Sequence, residues 1–467
     1  MIASCRKAME QRAYKAATLV AALFVLSAAP AMAEPFEPVT RFDGPQINFD
    51  FPAMRVGIAE YDEGPTGTTV FYFPDGVKGA VDVRGGSPGT LNATVLQNAR
   101  EARMIDAVVF SGGSWYGLSA ATGAANAIKD LKAAEDQPNA IAGVVGAIIY
   151  DVGARRMLRV TPDDALGRAA LESAEAGWFP LGSQGAGRFA MQGYYVARLN
   201  KEFPTEYWPH SGQGGAFREI GPIKVGVFTV VNALGAIVDR KGRIVRCRRN
   251  TLHNDCPLVG DVLARVGTGL GDDDLVTEPS ENTTLTLVVT NRKMPFTELQ
   301  RLAKQVHGSM SRGIQPFATA ADGDVLYAMT TDEVEDTALS STDFAVIASE
   351  LAWDAILASV PELPPEPRVV ATNPKPESLE ILVGDYEFND HARVGIRLKE
   401  DKLVALYGGI RQAYFLEPEH PLIPTVDGAF VLDTPARDVL HFDLQDGEVT
   451  GLTLNPGPWE QSATRLE

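Results

Sequence analysis

Asn282-Thr283-Thr284-Leu285-Thr286-Leu287-Val288-Val289-Thr290-Asn291 follows Glu281, opens on a polar pair and continues as an unbroken run of β-branched and aliphatic residues. A run this short and this rich in Thr and Val reads as a buried strand rather than a helix. About forty residues downstream stands Asp322-Gly323-Asp324, two carboxylates flanking a glycine. Taken alone, Asn-Thr-Thr also fits an ordinary strand start or a glycosylation acceptor. Asp-Gly-Asp equally fits an exposed hairpin turn.

A further reading is chemical. If the chain breaks between Asn282 and Thr283, Thr283 becomes a chain end carrying both a hydroxyl and a free α-amine. A threonine hydroxyl is a weak nucleophile at neutral pH, and an α-amine with a pKa of about 7.7–8.0 can take its proton near working pH. One residue then supplies attacker and base, with no histidine required. Before scission the same hydroxyl can attack the preceding carbonyl, so the uncut chain is its own first substrate.

The N-terminus carries Arg6, Lys7, Arg12 and Lys15, an apolar segment from Ala16 to Ala29, and Ala31-Met32-Ala33 before Glu34. A basic front, an apolar middle too short to span a bilayer and an A-x-A pattern predict a secretory signal peptide over 1–33, cut after Ala33. Its removal would take away those four basic residues and Glu10, moving the formal charge from −18 to −21. Such a balance argues against nucleic acid as a partner. No later segment is a membrane span by hydropathy, so a periplasmic or secreted product is expected. Of three cysteines, Cys247 and Cys256 would survive processing; an oxidising compartment allows them to pair, and two free buried thiols are the other reading. The six histidines are scattered singly, with no HExxH and no CxxC, so neither a zinc site nor any cofactor is expected.

The Pro-rich stretch Pro361-Glu362-Leu363-Pro364-Pro365-Glu366-Pro367, with Asn373-Pro374-Lys375-Pro376 after it, marks a seam. We read 34–360 as one domain, 361–378 as a linker and 379–467 as a second domain. Before the seam, β-rich runs mix with amphipathic helices, the signature of a layered α/β domain. Asp106-Ala107-Val108-Val109-Phe110 reads as a strand, Ser111-Gly112-Gly113 as a tight turn, and Ser114 as the cap of a helix to about Leu131. The glycines there either bind an anion or a carbonyl oxygen at the helix start, or simply permit close packing. Strands are predicted at Ile141 to Asp151 and Ile223 to Val231, and helices at Ala165 to Ala176, Thr297 to Arg312 and Ser341 to Ala358. The last has Ser340 and Asp343 at capping-box spacing. After the seam, short alternating segments recur: Tyr386 to Phe388, Val394 to Leu398, Leu403 to Tyr407, Ala413 to Leu416, Phe430 to Leu432, Val439 to Asp443 and Gly451 to Leu454. Turns such as Asn389-Asp390 and Asp446-Gly447 separate them. They predict a small antiparallel β-barrel or sandwich.

Six pieces, in this order, resemble the self-processing amidases that include the DmpA-type aminopeptidases, the β-aminopeptidases and the nylon-oligomer hydrolases. They are Val83-Arg84-Gly85-Gly86-Ser87-Pro88-Gly89-Thr90, Phe110-Ser111-Gly112-Gly113-Ser114-Trp115-Tyr116-Gly117-Leu118, Gly185-Ala186-Gly187, Val231-Asn232-Ala233, Asn282-Thr283-Thr284 and Asp322-Gly323-Asp324-Val325-Leu326-Tyr327-Ala328. The resemblance covers roughly Gly57 to Thr331. It implies a four-layer αββα sandwich of the N-terminal-nucleophile kind, cut between Asn282 and Thr283 and commonly assembled as a homo-oligomer. It implies Thr283 as nucleophile, Asn232 as donor to the tetrahedral oxyanion, and Asp322 and Asp324 as the pair that holds hydroxyl and α-amine. Glycine between them is expected to let the backbone turn sharply enough for both carboxylates to face the site. On spacing alone Asn232 also fits a turn residue ending a strand.

The Asp-Gly-Asp version is closer to the nylon-hydrolase branch. Two features depart from the pattern. Around Pro209-His210-Ser211-Gly212-Gln213-Gly214-Gly215 no lysine stands where many relatives have one. Trp115 and Tyr116 replace smaller residues, which makes Ser114, Trp115 and Tyr116 candidates for substrate binding, with core packing as the alternative for the aromatics. The expected activity is hydrolysis of amide bonds in short peptides or peptide-like molecules, without metal. Acyl transfer of the ornithine acetyltransferase type and a noncatalytic cell-envelope binding role are the alternatives.

Overall fold

The computed structural model describes residues 36–152, 160–199, 209–247, 256–266, 282–335, 338–362, 368–370, 374–388, 393–408, 419–433 and 437–466. The expected signal segment, Glu281, Asn389-Asp390, the expected strand at Ala413 to Leu416 and much of the Pro-rich seam lie outside them.

Ten strands form the main sheet; besides two-residue strands at Thr90–Leu91 and Glu175–Ala176 they are β1 (Arg55–Tyr61), β2 (Thr66–Val83), β3 (Arg103–Ser111), β4 (Val144–Ile148), β5 (Gln213–Ile220), β6 (Ile223–Asn232), β7 (Thr283–Arg292) and β8 (Val325–Val334). They run in the order β4-β3-β2-β8-β7-β6-β5, with β1 also on β2. The pairs β3/β4 and β7/β8 are parallel. At 18 residues β2 is the key element: its first half pairs β1, its second half pairs β8, and its register with β3 shifts between Tyr72 and Val77. A strand of that length, roughly 60 Å at 3.3 Å per residue, serves two faces of the domain.

The two faces pack on each other through aromatic residues. Phe71 of β2 meets Phe228 of β6 at 5.6 Å, and Phe110 of β3 meets Tyr327 of β8 at 6.4 Å between ring centroids. The Tyr327 hydroxyl donates to the Gly146 carbonyl of β4 at 2.9 Å, which satisfies the one polar atom this ring brings into the core. Outside, α1 (Leu118–Ala134) and α2 (Asp164–Glu172) cover β1 to β4, while α3 (Phe296–Ser309) and α4 (Ser341–Ala358) cover β5, β6 and β8. The result is the four-layer αββα sandwich. Every residue of β7 is buried, because one side faces the other sheet and the other faces α3 and α4. That explains why its sequence is continuously apolar and threonine-rich rather than alternating.

Helix α4 occupies the expected range, and its Ser340 hydroxyl accepts the Asp343 N–H at 3.0 Å. Other boundaries move. Ser114 does not cap a long helix: Ser114–Gly117 is a single 3-10 turn, and α1 begins at Leu118. Gly113 and Ser114 both have positive φ (82° and 55°), and the Ser114 N–H donates to the Ile149 carbonyl, so the chain there is tied to the end of β4. The expected helix to Ala176 stops at Glu172, because Glu175 and Ala176 pair with β1.

The C-terminal region is a closed antiparallel barrel of β9 (Gly384–Phe388), β10 (Arg393–Lys399), β11 (Lys402–Gly408), β12 (Glu419–Pro424), β13 (Phe430–Leu432), β14 (Val439–Gln445), β15 (Glu448–Leu454) and β16 (Gln461–Arg465), with β9 pairing β16. Closure pairs each of these described strands on both sides. The interior is filled by Tyr386, Val394, Ile396, Phe430, Phe442 and Leu452, among others. Cys247 and Cys256 are joined as a disulfide, which decides between the two readings of that pair. No helix among the described residues is long and apolar enough to cross a membrane.

Candidate active site

Thr283 opens β7 directly opposite Asn232, the last residue of β6. The residue before it is clamped to the Asp-Gly-Asp segment. Asn282 bridges Asp322 in parallel, its N–H donates to the Ala321 carbonyl at 3.1 Å, and its carbonyl accepts the Gly323 N–H at 2.6 Å. The Thr283 hydroxyl donates to that same Asn282 carbonyl oxygen, also at 2.6 Å. The peptide between Asn282 and Thr283 is therefore buried and polarised by a backbone donor, with the candidate nucleophile's hydroxyl on its carbonyl oxygen.

Gly323 is required here for a reason other than the sharp turn expected from sequence. It is not among the positive-φ glycines. A Cβ at this position would instead lie 2.6 Å from Thr283 Oγ1 and 2.7 Å from the Ser87 carbonyl oxygen. Space, not torsion, excludes a side chain.

The two carboxylates are buried, which rules out an exposed hairpin turn. Asp324 accepts the Thr284 N–H at 2.5 Å on one oxygen and the Ala318 N–H at 3.0 Å on the other. Asp322 accepts the Leu234 N–H at 3.2 Å, and on its second oxygen the N–H and hydroxyl of Thr319 at 2.9 and 2.7 Å. Burial, and then the neighbouring Asp322 carboxylate, push the Asp324 carboxyl well above its ordinary range, against the backbone donors that favour its charge. Asp324 thus ties down the start of β7, and Asp322 the loop that follows Asn232.

Asn232 is fully buried. Its Oδ1 accepts the Met191 N–H at 3.1 Å and its Nδ2 donates to the Tyr150 carbonyl at 2.9 Å. One neighbour can only donate and the other only accept, so the orientation of the amide is fixed by the backbone around it. A turn role at a strand end does not explain an amide held from both sides.

Of Ser114, Trp115 and Tyr116, Trp115 lies beside the 87–89 segment that borders Gly323. Pro88 and Ser87 flank Gly323, and a Cβ on Gly89 would lie 3.0 Å from Trp115 Cδ1. Trp115 and Tyr116 are 72% and 64% exposed, so neither is a core residue. In the segment that lacks a lysine, Gln213 is buried; its Oε1 accepts the Thr69 hydroxyl at 2.9 Å and its Nε2 donates to the Pro180 carbonyl at 3.0 Å. Among the described residues no group of three or more His, Cys, Asp or Glu is arranged to hold a metal ion.

Sequence reasoning did not find the Gly323 N–H, the Met191 N–H or the Tyr150 carbonyl as parts of the site, because backbone groups leave no mark in residue type. The glycine itself was the available signal for the first.

Residues 48–362 match Peptidase family S58. The chain is 37% identical over 338 residues to a 6-aminohexanoate-oligomer endohydrolase of Paenarthrobacter ureafaciens, covering 68% of this chain and 87% of that protein. It is 38% identical to a 6-aminohexanoate-oligomer endohydrolase of Kocuria sp. (67% and 85% covered), and 29% identical to an uncharacterised aminopeptidase of Mycobacterium leprae (60% and 75% covered). Among solved structures, a Burkholderia sp. β-aminopeptidase aligns with a TM-score of 0.46 at 16% identity, covering 68% of this chain and 89% of that one. With two thirds of the chain matched, this protein belongs to Peptidase family S58 and is a hydrolase of peptide or amide bonds.

Proposed function

We propose that the chain is an autoprocessed N-terminal-threonine hydrolase in which Asn282–Thr283 is the scissile bond, Thr283 the nucleophile, Asn232 the oxyanion donor, and Asp322 and Asp324 the residues that hold the junction. The supporting observation is the shared carbonyl: the Asn282 oxygen takes both the Thr283 hydroxyl and the Gly323 N–H at 2.6 Å. In maturation Thr283 Oγ1 adds to the Asn282 carbonyl carbon while the Gly323 N–H steadies the negative oxygen. The C–N bond then breaks, the nitrogen takes a proton to become the Thr283 α-amine, and the Asn282 acyl group sits on Oγ1 as an ester. Water hydrolyses that ester and leaves Asn282 as a carboxylate. In turnover the α-amine accepts the hydroxyl proton, Oγ1 attacks the substrate carbonyl, and the Asn232 amide donates to the oxyanion. The leaving amine takes a proton, and water frees the acid.

The substrate class is linear peptides or peptide-like amides, with Ser114, Trp115 and Tyr116 at the rim of the site. Because two relatives carry the name 6-aminohexanoate-oligomer endohydrolase, aliphatic amide oligomers are the first substrates to try, beside aminoacyl amides. Export after removal of residues 1–33, a hydrolase domain over 34–360, a linker, a separate β-domain over 379–467 and homo-oligomeric assembly complete the reading. The disulfide between Cys247 and Cys256 supports an oxidising compartment.

Thr283→Ala tests the core of this reading. The variant should run as one uncut chain and lose amide hydrolysis by about 10³-fold or more, while the parent gives a second fragment whose first residue is Thr283. A Thr283→Ala protein that still matures and turns over would refute it.

A further inference from the structure

The barrel touches the sandwich beside the oxyanion donor. In the turn between β15 and β16, Trp459 is buried and stacks on His210 with ring centroids 3.9 Å apart and planes at 12°; Phe189 meets the same imidazole edge-on at 5.1 Å. One residue earlier, the Pro458 carbonyl accepts from Arg188 Nε at 2.7 Å. Arg188 is ion-paired with buried Glu60 and with Asp62, and burial pushes its pKa down to about 10. One anchor point, His210, lies on a small ladder, and the other, Arg188, lies just before it. His210 bridges Met191, the Gln192 N–H donates to the Pro209 carbonyl, and the Ser211 N–H donates to the Ala190 carbonyl, each at 3.0 Å. The ladder is fastened to β6 by the Ser211 hydroxyl on the Val231 carbonyl at 2.6 Å, and it presents the Met191 N–H to Asn232 Oδ1.

We infer that the C-terminal barrel is a positioning module of the active site: Trp459 and the Pro458 carbonyl hold the 188–191 and 209–212 segments so that Met191 keeps the Asn232 amide aimed at the developing oxyanion. This rests on the proposed role of Asn232. The indole N–H of Trp459 has no hydrogen-bond partner among the described residues, so the residue contributes area and stacking rather than a hydrogen bond. Phenylalanine should therefore replace it and alanine should not. The self-cleavage donor, Gly323 N–H, lies on the other side of Thr283 from this ladder, so maturation and turnover respond differently.

The test uses the full chain. Trp459→Ala should still yield the fragment beginning at Thr283, yet show a kcat on an amide substrate lowered about tenfold to a hundredfold, the range of a small misplacement of a catalytic group, with KM changed far less. Trp459→Phe should restore most of the rate. A matured Trp459→Ala enzyme with the parent's kcat would overturn the inference, as would equal losses in Ala and Phe. If Trp459→Ala does not fold, Arg188→Lys carries the test: it keeps the charge opposite Glu60 and gives up the Nε contact to Pro458. Lowered kcat in matured protein then supports the inference and unchanged kcat overturns it. A parent protein that is never cut fails at the underlying reading instead.

Discussion

The sandwich and the barrel solve the same problem, burying an apolar core, in opposite ways. Between its layers the sandwich encloses Glu60, Asn232, Thr283, Asp322, Asp324 and His307. Each buried polar group there must be matched or it costs stability. Among the described residues of the barrel the buried polar side chains are His420 and Thr425, and the rest of the interior is aliphatic and aromatic. Buried polar groups gather where the end of β6 meets the start of β7, whereas the barrel interior is a cohesive apolar core. A junction proposed to react has to hold its polar groups by neighbours that leave no slack; an apolar core needs volume and area.

The sharpest break of this contrast is Gly323→Ala. A methyl group there meets Thr283 Oγ1 and the Ser87 carbonyl at distances real side chains do not adopt, so either the hydroxyl or the Gly323 N–H must leave the Asn282 oxygen. The expected outcome is a chain that stays whole, read by intact mass after prolonged incubation. Scission at the parent's rate would show that the clamp does not align the junction.

A change of similar weight in the barrel should act on stability instead. Phe442 packs edge-on against Tyr386 and Phe430, with centroids 5.8 and 5.7 Å apart. Truncation to alanine should cost about 3–5 kcal/mol and give the barrel an earlier unfolding transition in a urea titration. Maturation, which draws on groups of the sandwich alone, should proceed. If Phe442→Ala blocks the cut, the two regions do not separate as described.

Asn232→Ala sits between these cases. Loss of one oxyanion donor typically lowers kcat by about 10²–10³. It also leaves the Met191 N–H and the Tyr150 carbonyl without their present partner. Steady-state kinetics on matured protein should therefore show the loss in kcat, with KM little changed. A loss confined to KM would mark Asn232 as a binding residue.

How much of this was legible depends on what kind of feature carried it. β7 and α4 were readable because periodicity and a serine cap act locally, within a few residues. Thr283, Asn232, Asp322 and Asp324 were picked out by the order of several motifs, and the fold brings them to one place. The function of Gly323 was misread as torsional because sequence records a missing side chain without saying what fills its space. The strands Glu419–Pro424 and Gln461–Arg465 escaped because EHPLIP carries two prolines and QSATR is mostly polar; pairing partners on both sides, not propensity, make them strands. The stack of Trp459 on His210 joins two regions far apart in sequence, and no local pattern announces such a contact.

The smallest expected effect concerns protons at the junction. Asp324 has a folded pKa raised above its ordinary value of 3.8 by burial and by Asp322, so between 3.8 and that raised value the folded chain holds a proton the unfolded chain has released. Its contribution to stability is therefore full below about pH 3.8 and declines as pH rises through the window, by at most about 1.4 kcal/mol per pH unit for one proton. The uncut Thr283→Ala precursor isolates this behaviour, since its junction keeps Asp324 between Thr284 and Ala318. Denaturant stability of Thr283→Ala against Thr283→Ala/Asp324→Asn, followed from pH 4 upward, should show the parent precursor losing ground relative to the amide variant. Parallel curves would mean that the two backbone donors, rather than burial, set the charge of Asp324, and that the sandwich holds this carboxylate as an ionised clamp.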